Sequence, residues 1–169
     1  KIGTVAKILK ILKLPDGNIT VILQGKKRFE IDSFSQVTPY FKAVVKEVEE
    51  IRPEQDDEEF KAIVDSVKET SYEMIKENPN IPSEAAFAIK NIESDSFLIN
   101  FVCSNLNISV EEKQAILSIN DLKERALEAL RKMNVELQKL NLKNDIQNKV
   151  RIDLDQQQKE YFLNQQIRT

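Results

Sequence analysis

The last part of the chain, from Asp121 to Thr169, contains neither proline nor glycine, the two residues that most often end a helix. Glu124 follows Asp121 at the spacing of a capping signature, so the pattern predicts one helix that starts at Asn120 or Asp121 and spans on the order of 70 Å. Apolar residues in its first half alternate steps of four and three, which is typical of a coiled-coil seam: Ala126, Leu130, Met133, Leu137 and Leu140.

The second half of this predicted helix loses its apolar stripe. Polar and charged residues, including the run Gln156, Gln157 and Gln158, fill most positions. A helix of this kind either projects into solvent or packs on something outside its own domain, and we therefore expect the chain to be a fragment of a longer polypeptide. The apolar positions that remain are Ile146, Val150, Leu154, Tyr161 and Phe162.

The first region, residues 1–52, is predicted to be rich in β-structure. Pro15, Asp16 and Gly17 form a turn signal, and the following "ITVIL" is rich in β-branched residues. Gly25 then indicates a bulge or a second turn, before further strands at "RFEIDSF" and "YFKAVVKEVEEI". The opening "IGTVAKILKILKL" has apolar residues at helical spacing as well, but Gly3, Thr4 and the turn favour a strand.

The second region, residues 53–120, is predicted to fold as short helices. An acidic run precedes an apolar stripe that ends at "NPNIP": Phe60, Ile63, Val64, Val67, Ser71, Met74 and Ile75. Ser83 is expected to cap a second helix, and Ser94 or Asp95 a third helix whose residues Phe97, Leu98, Phe101, Val102 and Leu106 are expected in the core. Ser109 with Glu112 predicts a capping box and a fourth helix holding Ala115 and Ile116.

These regions define an α+β chain: a β-rich subdomain (1–52), a helical subdomain (53–120) and a long helix (121–169). The net charge of −3 is uneven, because residues 1–52 carry 10 basic and 6 acidic side chains whereas residues 53–81 carry 3 and 9. An acidic middle argues against one continuous nucleic-acid footprint. No apolar run is long enough for a membrane span, so no membrane partner is expected.

The composition also limits the chemistry. The chain has no histidine and one cysteine, Cys103, which excludes a disulfide framework and is compatible with a reducing compartment. Without histidine, His-assisted nucleophiles and most zinc sites are ruled out. We assign no catalytic, cofactor-binding or metal-binding residue. The spacing from Gly17 to Gly25 does not fit a phosphate loop, and the acidic run at 56–59 lacks the ligand pattern of a calcium loop.

Two groups of residues are candidates for partner contacts. Lys26, Lys27 and Arg28 form a basic cluster, which either binds an acidic partner or is a solvated strand edge whose lysines discourage aberrant pairing. Tyr161 and Phe162, with Leu154 one heptad before, either dock on a neighbouring domain or contact a client protein or another subunit.

Two stretches resemble segments of the Lon family, the ATP-dependent protease La. Residues 2–31, "IGTVAKILKILKLPDGNITVILQGKKRFEI", look like the "GTVA…LKLPDG…V…G…R" signature of its N-terminal domain. Residues 156–169, "QQQKEYFLNQQIRT", resemble the "QREY(Y/F)L.EQ" segment of its long helix, and residues 80–127 between them are similar to its helical part. The sequence departs from the usual pattern of the family at two positions. It has Lys159 where the family usually has arginine, and Phe29 where the family often has a second arginine.

The resemblance implies a partial PUA-like β-barrel or sheet, a helical bundle and a long helix leading to an ATPase ring. It implies that this part captures unfolded or misfolded protein substrates and supports hexamer assembly with other Lon subunits in the cytoplasm, while doing no chemistry itself. ATP and Mg²⁺, like the serine–lysine endopeptidase dyad, would belong to the full-length protein. Dimerisation or strand exchange is a further expectation for the isolated domain. Since the family has strands before "GTVA", we expect an incomplete barrel edge at residues 1–51 or one filled by another chain.

A rival hypothesis is a stand-alone PUA-like module that binds RNA or protein and dimerises through a coiled-coil helix. In that hypothesis the basic cluster from Lys26 to Arg28 would be available to contact RNA. The acidic overall balance and the sparse aromatic residues of the β-rich part argue against nucleic acid as a partner.

Overall fold

The computed structural model describes residues 1–168, in which three strands precede five helices. The strands are β1 (Ile2–Lys13), β2 (Ile19–Gln36) and β3 (Lys42–Glu47). The helices are α1 (Glu58–Glu77), α2 (Ala85–Lys90), α3 (Asp95–Asn105), α4 (Val110–Leu117) and α5 (Leu122–Arg168). The predicted α+β class is therefore confirmed. The first of two compact units contains Lys1–Asp57 and Ile108–Arg125, and the second contains Glu58–Asn107 and helix α5 from Ala126 onward.

The first unit is built on an antiparallel sheet with the strand order β1-β2-β3. The predicted turn joins β1 to β2: Leu14 N donates to the carbonyl oxygen of Asn18 at 2.8 Å, and Asp16 Oδ1 accepts from Asn18 N at 3.0 Å. Gly17 has a φ of 87°, a left-handed conformation that favours glycine. The strand interpretation of residues 2–13 is confirmed, because β2 pairs with these residues from one end of β1 to the other.

Both strands of this hairpin carry an extra residue. Val5 lies opposite Lys27 and Ala6 opposite Gly25, which leaves Lys26 unpaired as a bulge. Of the two alternatives for Gly25, the structure therefore has the bulge. Among the described residues the sheet has three strands and stays open, so residues 1–51 do not close a barrel, as predicted.

The segment Ile108–Arg125 belongs to the same compact unit as the sheet. Ser109 and Glu112 form the predicted capping box at the start of α4, and Gln114 Nε2 donates to the Ile2 carbonyl oxygen at 2.8 Å. The start of α5 is joined to residues after β3, because Leu122 N donates to the Ile51 carbonyl oxygen at 2.9 Å. Asp121 caps α5 by accepting hydrogen bonds from the backbone of the helix's first turn.

The second unit has a helical core. The predicted stripe of α1 is confirmed as far as Ser71, and Met74 and Ile75 are half-buried. The buried apolar side chains of this unit are Phe60, Ile63, Val64, Val67, Ile89, Leu98, Ile99, Val102, Leu106, Ala126, Ala129 and Met133.

Two predictions for this unit were wrong. Phe97 and Phe101 are exposed by 59% and 37%, whereas Leu98 and Ile99 are fully buried. Helix α3 is apolar around most of its circumference, so periodicity could not select the face that packs. Ser83 caps no helix: α2 begins after Glu84, without a side-chain cap. Backbone carbonyls from Pro82 to Glu84 accept the first amide groups instead. Ser94 does cap α3, as predicted.

Helix α5 runs for 47 residues without a break. In the predicted seam, Ala126 and Met133 are buried, while Leu130, Leu137 and Leu140 are half-buried. The last side chain held by the core is Asn144, whose Nδ2 donates to the Glu77 carbonyl oxygen at 2.9 Å. Every residue from Asp145 to Arg168 is exposed, which confirms that the helix loses its apolar contacts in its second half.

Candidate functional site

The three residues of the predicted basic cluster have different surroundings. Lys26 is the exposed bulge residue of β2. Lys27 Nζ lies 3.1 Å from Glu47 Oε1 on β3, with both side chains well exposed. Arg28 is half-buried, and its Nη1 donates to three oxygens at the end of α4 and in the segment that follows it: Asn120 Oδ1 at 3.0 Å, Leu117 O at 3.0 Å and Ile119 O at 3.2 Å. The cluster is therefore not one continuous basic surface.

Arg28 belongs to a charged junction inside the first unit. The Ile119 carbonyl oxygen that it contacts also accepts from Arg125, through Nε at 3.1 Å and Nη2 at 2.6 Å. Glu50 supplies one negative charge to this pair of guanidinium groups, and its Oε2 lies 2.8 Å from Arg125 Nη1. Burial and the neighbouring charge of Arg125 lower the pKa of Arg28 below its ordinary value, and Glu50 partly offsets them. We interpret Arg28 as a scaffold residue of this junction.

Sequence reasoning missed Arg125, the charged side chain at the centre of this junction. Arg125 is 1% exposed. The available signal was its position in the first turn of α5, directly before the first seam residue, Ala126. A charge at that position faces the same packed side as the seam and needs a partner.

The second group of predicted contact residues lies on the exposed half of α5. Leu154, Tyr161 and Phe162 are exposed by 54%, 61% and 63%. The rings of Tyr161 and Phe162 meet edge to face with centroids 6.2 Å apart, and Gln165 Nε2 donates to the Tyr161 hydroxyl at 2.8 Å. The helix thus presents an ordered pair of aromatic rings to solvent, an arrangement suited to apolar contact with a partner.

The structure adds two apolar surfaces to those predicted. One is on α3, where the rings of Phe97 and Phe101 stack with centroids 6.3 Å apart. The other is the β1–β2 ribbon, defined as residues 4–27, in which every residue is exposed. Its exposed large apolar side chains are Val5, Ile8, Leu9, Ile11, Leu12, Leu14, Ile19, Val21, Ile22 and Leu23. Sequence reasoning identified the hairpin but not this exposed apolar surface.

Within residues 1–168, no group of three or more Cys, Asp and Glu side chains is placed to hold a metal ion. None of the helices described is both long enough and apolar enough to cross a membrane.

An open antiparallel sheet, a helical core and several exposed apolar surfaces are the features of a binding domain. The family model for the ATP-dependent protease La (LON) substrate-binding domain matches residues 1–135. The chain therefore belongs to the Lon substrate-binding domain family, as the sequence resemblance implied. This match supports the main hypothesis over the rival one, a stand-alone PUA-like module that binds RNA or protein.

Individual relatives agree with this assignment. The chain is 72% identical over its whole length to a Lon protease of Flavobacterium johnsoniae, of which it covers 21%. It is 46% identical over 99% of its length to a Lon protease of Cytophaga hutchinsonii, again covering 21%. The chain thus spans about a fifth of the length of these curated relatives.

Solved structures support the fold. The N-terminal domain of Mycobacterium avium complex Lon protease matches with a TM-score of 0.65 at 20% identity, over 79% of this chain and 69% of that one. A Lon N-terminal domain protein from Xanthomonas campestris matches with a TM-score of 0.51 at 16% identity, over 77% of this chain and 66% of the other. At these identities the likeness concerns architecture alone.

Proposed function

We propose that the chain captures unfolded or misfolded proteins for a longer, ATP-dependent Lon-type protease. The chain belongs to a substrate-binding domain family. The observation that supports the proposal most directly is its many exposed apolar side chains, above all those of the β1–β2 ribbon and the Tyr161–Phe162 pair. Exposed apolar side chains can bind the apolar segments that unfolded proteins expose and folded proteins bury.

In this proposal the chain contributes binding, and the chemistry belongs to other parts of the protein. A serine–lysine dyad would cleave the client, with ATP and Mg²⁺ driving a ring of ATPase domains in the cytoplasm. Assembly into a hexamer would place six weak client sites together, so that effective concentration raises the overall affinity. Helix α5 would link client capture to the ring, since it starts within the sheet unit and extends well beyond its own core.

The experiment compares degradation of a permanently unfolded protein by the longer protease with and without the paired change Tyr161→Ser and Phe162→Ser. We expect the KM for the unfolded substrate to rise more than kcat falls, because the aromatic pair contributes to binding. The matched control, Gln156→Ser with Gln157→Ser on the same exposed half of α5, should change neither value. An unchanged KM in the aromatic variant would exclude these two residues from client capture. Normal degradation after deletion of residues 1–168 would refute the proposed function.

A further inference from the structure

We propose that the aromatic face of α3, defined as Phe97 and Phe101, binds flexible polypeptide segments in which arginine lies next to apolar residues. This inference rests on the proposed function, since such a segment would be the part of a client that is recognised. It narrows the client from unfolded protein in general to segments that combine a guanidinium group with apolar side chains.

The two phenylalanine rings form one apolar surface. Their centroids are 6.3 Å apart, and their planes are 15° from parallel. Phe97 and Phe101 are exposed by 59% and 37%, so the outer side of the stacked pair is open to a ligand. Aromatic rings bury a large apolar area when a partner covers them, and such contacts contribute much of the binding energy at protein interfaces.

Helix α3 holds this pair of rings in place. Leu98 and Ile99, on another side of the helix, are fully buried in the helical core. Ser94 Oγ accepts from Phe97 N at 3.2 Å, which caps the first turn of α3. A surface that is ordered before binding loses little conformational entropy when a ligand arrives.

The charged residues that flank the pair in the sequence are acidic. Residues 91–107 contain Glu93 and Asp95 and no lysine or arginine. Both carboxylates are exposed, and within residues 1–168 neither of them is in an ion pair. They come four and two residues before Phe97, so a cation on that ring would be attracted by both and repelled by no residue of this segment.

Charge decides which occupant fits. Arginine can stack its planar guanidinium on an aromatic ring and also bind carboxylate oxygens, so it meets both features of the surface. An acidic segment would be repelled by Glu93 and Asp95, and so would the same surface of a second copy of the chain. The exposed aromatic pair on α5 directly follows Lys159 and Glu160, so it has charges of both signs beside it and predicts no such preference.

The test uses the whole chain and three fluorescein-labelled peptides, followed by fluorescence anisotropy. The peptides share their length and their leucine, glycine and serine residues, and they carry arginine, lysine or glutamate at the same positions. We expect the arginine peptide to bind at least about fivefold more tightly than the glutamate peptide, because attraction replaces like-charge repulsion. It should bind about two- to fivefold more tightly than the lysine peptide, the gain expected from stacking on an exposed ring.

Variants of α3 locate the site. Phe97→Ser should weaken binding of the arginine peptide by at least about fivefold, since it removes the more exposed ring. Phe97→Leu keeps an apolar side chain and should mainly remove the preference for arginine over lysine, so it remains informative if serine destabilises the helix. Glu93→Gln together with Asp95→Asn should reduce the difference between the arginine and glutamate peptides to less than about twofold.

Two controls on α5 match these changes. Val135→Ser removes an apolar side chain that is 49% exposed, and Asp145→Asn together with Asp153→Asn removes two exposed carboxylates. Both controls should leave binding of the arginine peptide unchanged. A loss of binding in the controls as large as in the α3 variants would overturn the assignment to α3.

The outcomes separate this inference from the proposed function. Equal binding of the arginine and glutamate peptides, or full binding by Phe97→Ser, overturns the α3 site. A dimer that Phe97→Ser dissociates also overturns it, because a second copy would then be the occupant. The longer protease should show the same preference for the arginine peptide, and its absence there would mean that another part of the protein covers α3, which also overturns the site.

A reduced and alkylated globular protein completes the comparison. If that unfolded protein binds the chain while the arginine peptide does not, the α3 site is wrong and general client capture stands. If neither binds, both proposals fail.

Discussion

Arg125 Nη1 lies 2.8 Å from Glu50 Oε2, and this ion pair fixes the first turn of α5 to the segment that follows β3. The Arg125 side chain is almost fully buried, and that of Glu50 is 17% exposed. Removal of one partner would leave the other charge in a site with little access to water. Loss of either side chain alone is therefore expected to destabilise the fold.

Glu50→Ala should lower the free energy of unfolding by about 3 kcal/mol, because it removes the Glu50 carboxylate from the buried guanidinium of Arg125. Urea denaturation followed by circular dichroism measures the change. Arg52→Ala is a matched control, since the exposed Arg52 also pairs with Glu50, at 3.4 Å, and its loss should cost less than about 1 kcal/mol. Equal effects of the two substitutions would show that the Arg125–Glu50 pair is not the stabilising one.

Arg28→Lys should destabilise the chain by about 2 kcal/mol, because lysine cannot reproduce the guanidinium contacts with Leu117, Ile119 and Asn120. Lys27→Ala, one residue away, removes an exposed ion pair and should cost less than about 1 kcal/mol. The urea midpoints of the two variants can be compared directly. If Lys27→Ala is the more damaging change, Arg28 does not have the scaffold role inferred from its contacts.

Ser109→Ala should destabilise the chain by about 1 kcal/mol, since Ser109 Oγ accepts from Glu112 N and the alanine side chain cannot. Ser83→Ala should change stability by a few tenths of a kcal/mol at most, since α2 has no side-chain cap. Thermal unfolding of both variants under identical conditions tests the pair. A large loss for Ser83→Ala would contradict the helix boundary described for α2.

Gly3→Ala should destabilise the sheet by about 1–3 kcal/mol, because the added Cβ would lie 2.5 Å from Cζ of the Phe29 ring opposite. At Gly25 the nearest atom to an added Cβ is Thr4 Cγ2 at 3.3 Å, so Gly25→Ala should be tolerated better. Hydrogen exchange of β1 and β2 amides measures the effect where it arises. Comparable protection in Gly3→Ala and the unaltered chain would mean that the ring moves aside at little cost.

Local features of the fold could be predicted because a few neighbouring residues determine them. The turn at Pro15–Gly17 and the Ser109–Glu112 capping box depend on backbone preferences and hydrogen bonds within four residues. The loss of the apolar stripe along α5 likewise follows directly from the residues of that helix. Family membership followed from two motifs and was confirmed by the match over residues 1–135.

Features that depend on distant partners could not be predicted. Arg28, which was a candidate contact residue, turns towards carbonyl groups about 90 residues later in the chain, a pairing that no local pattern encodes. The exposure of Phe97 depends on which side of α3 meets the core, and that helix is apolar on nearly all sides. The contact role of Leu154, Tyr161 and Phe162 remains a prediction.

The most direct test of the central claim measures how tightly the chain binds an unfolded protein and the folded form of the same protein. The chain is used first as a monomer and then fused to a hexameric scaffold. Weak, unfolded-selective binding by the monomer and a gain of about 100-fold or more on hexameric display are the predicted results, because repeated weak sites act together. Tight binding of the monomer to the folded protein, with no gain on display, would contradict the claim.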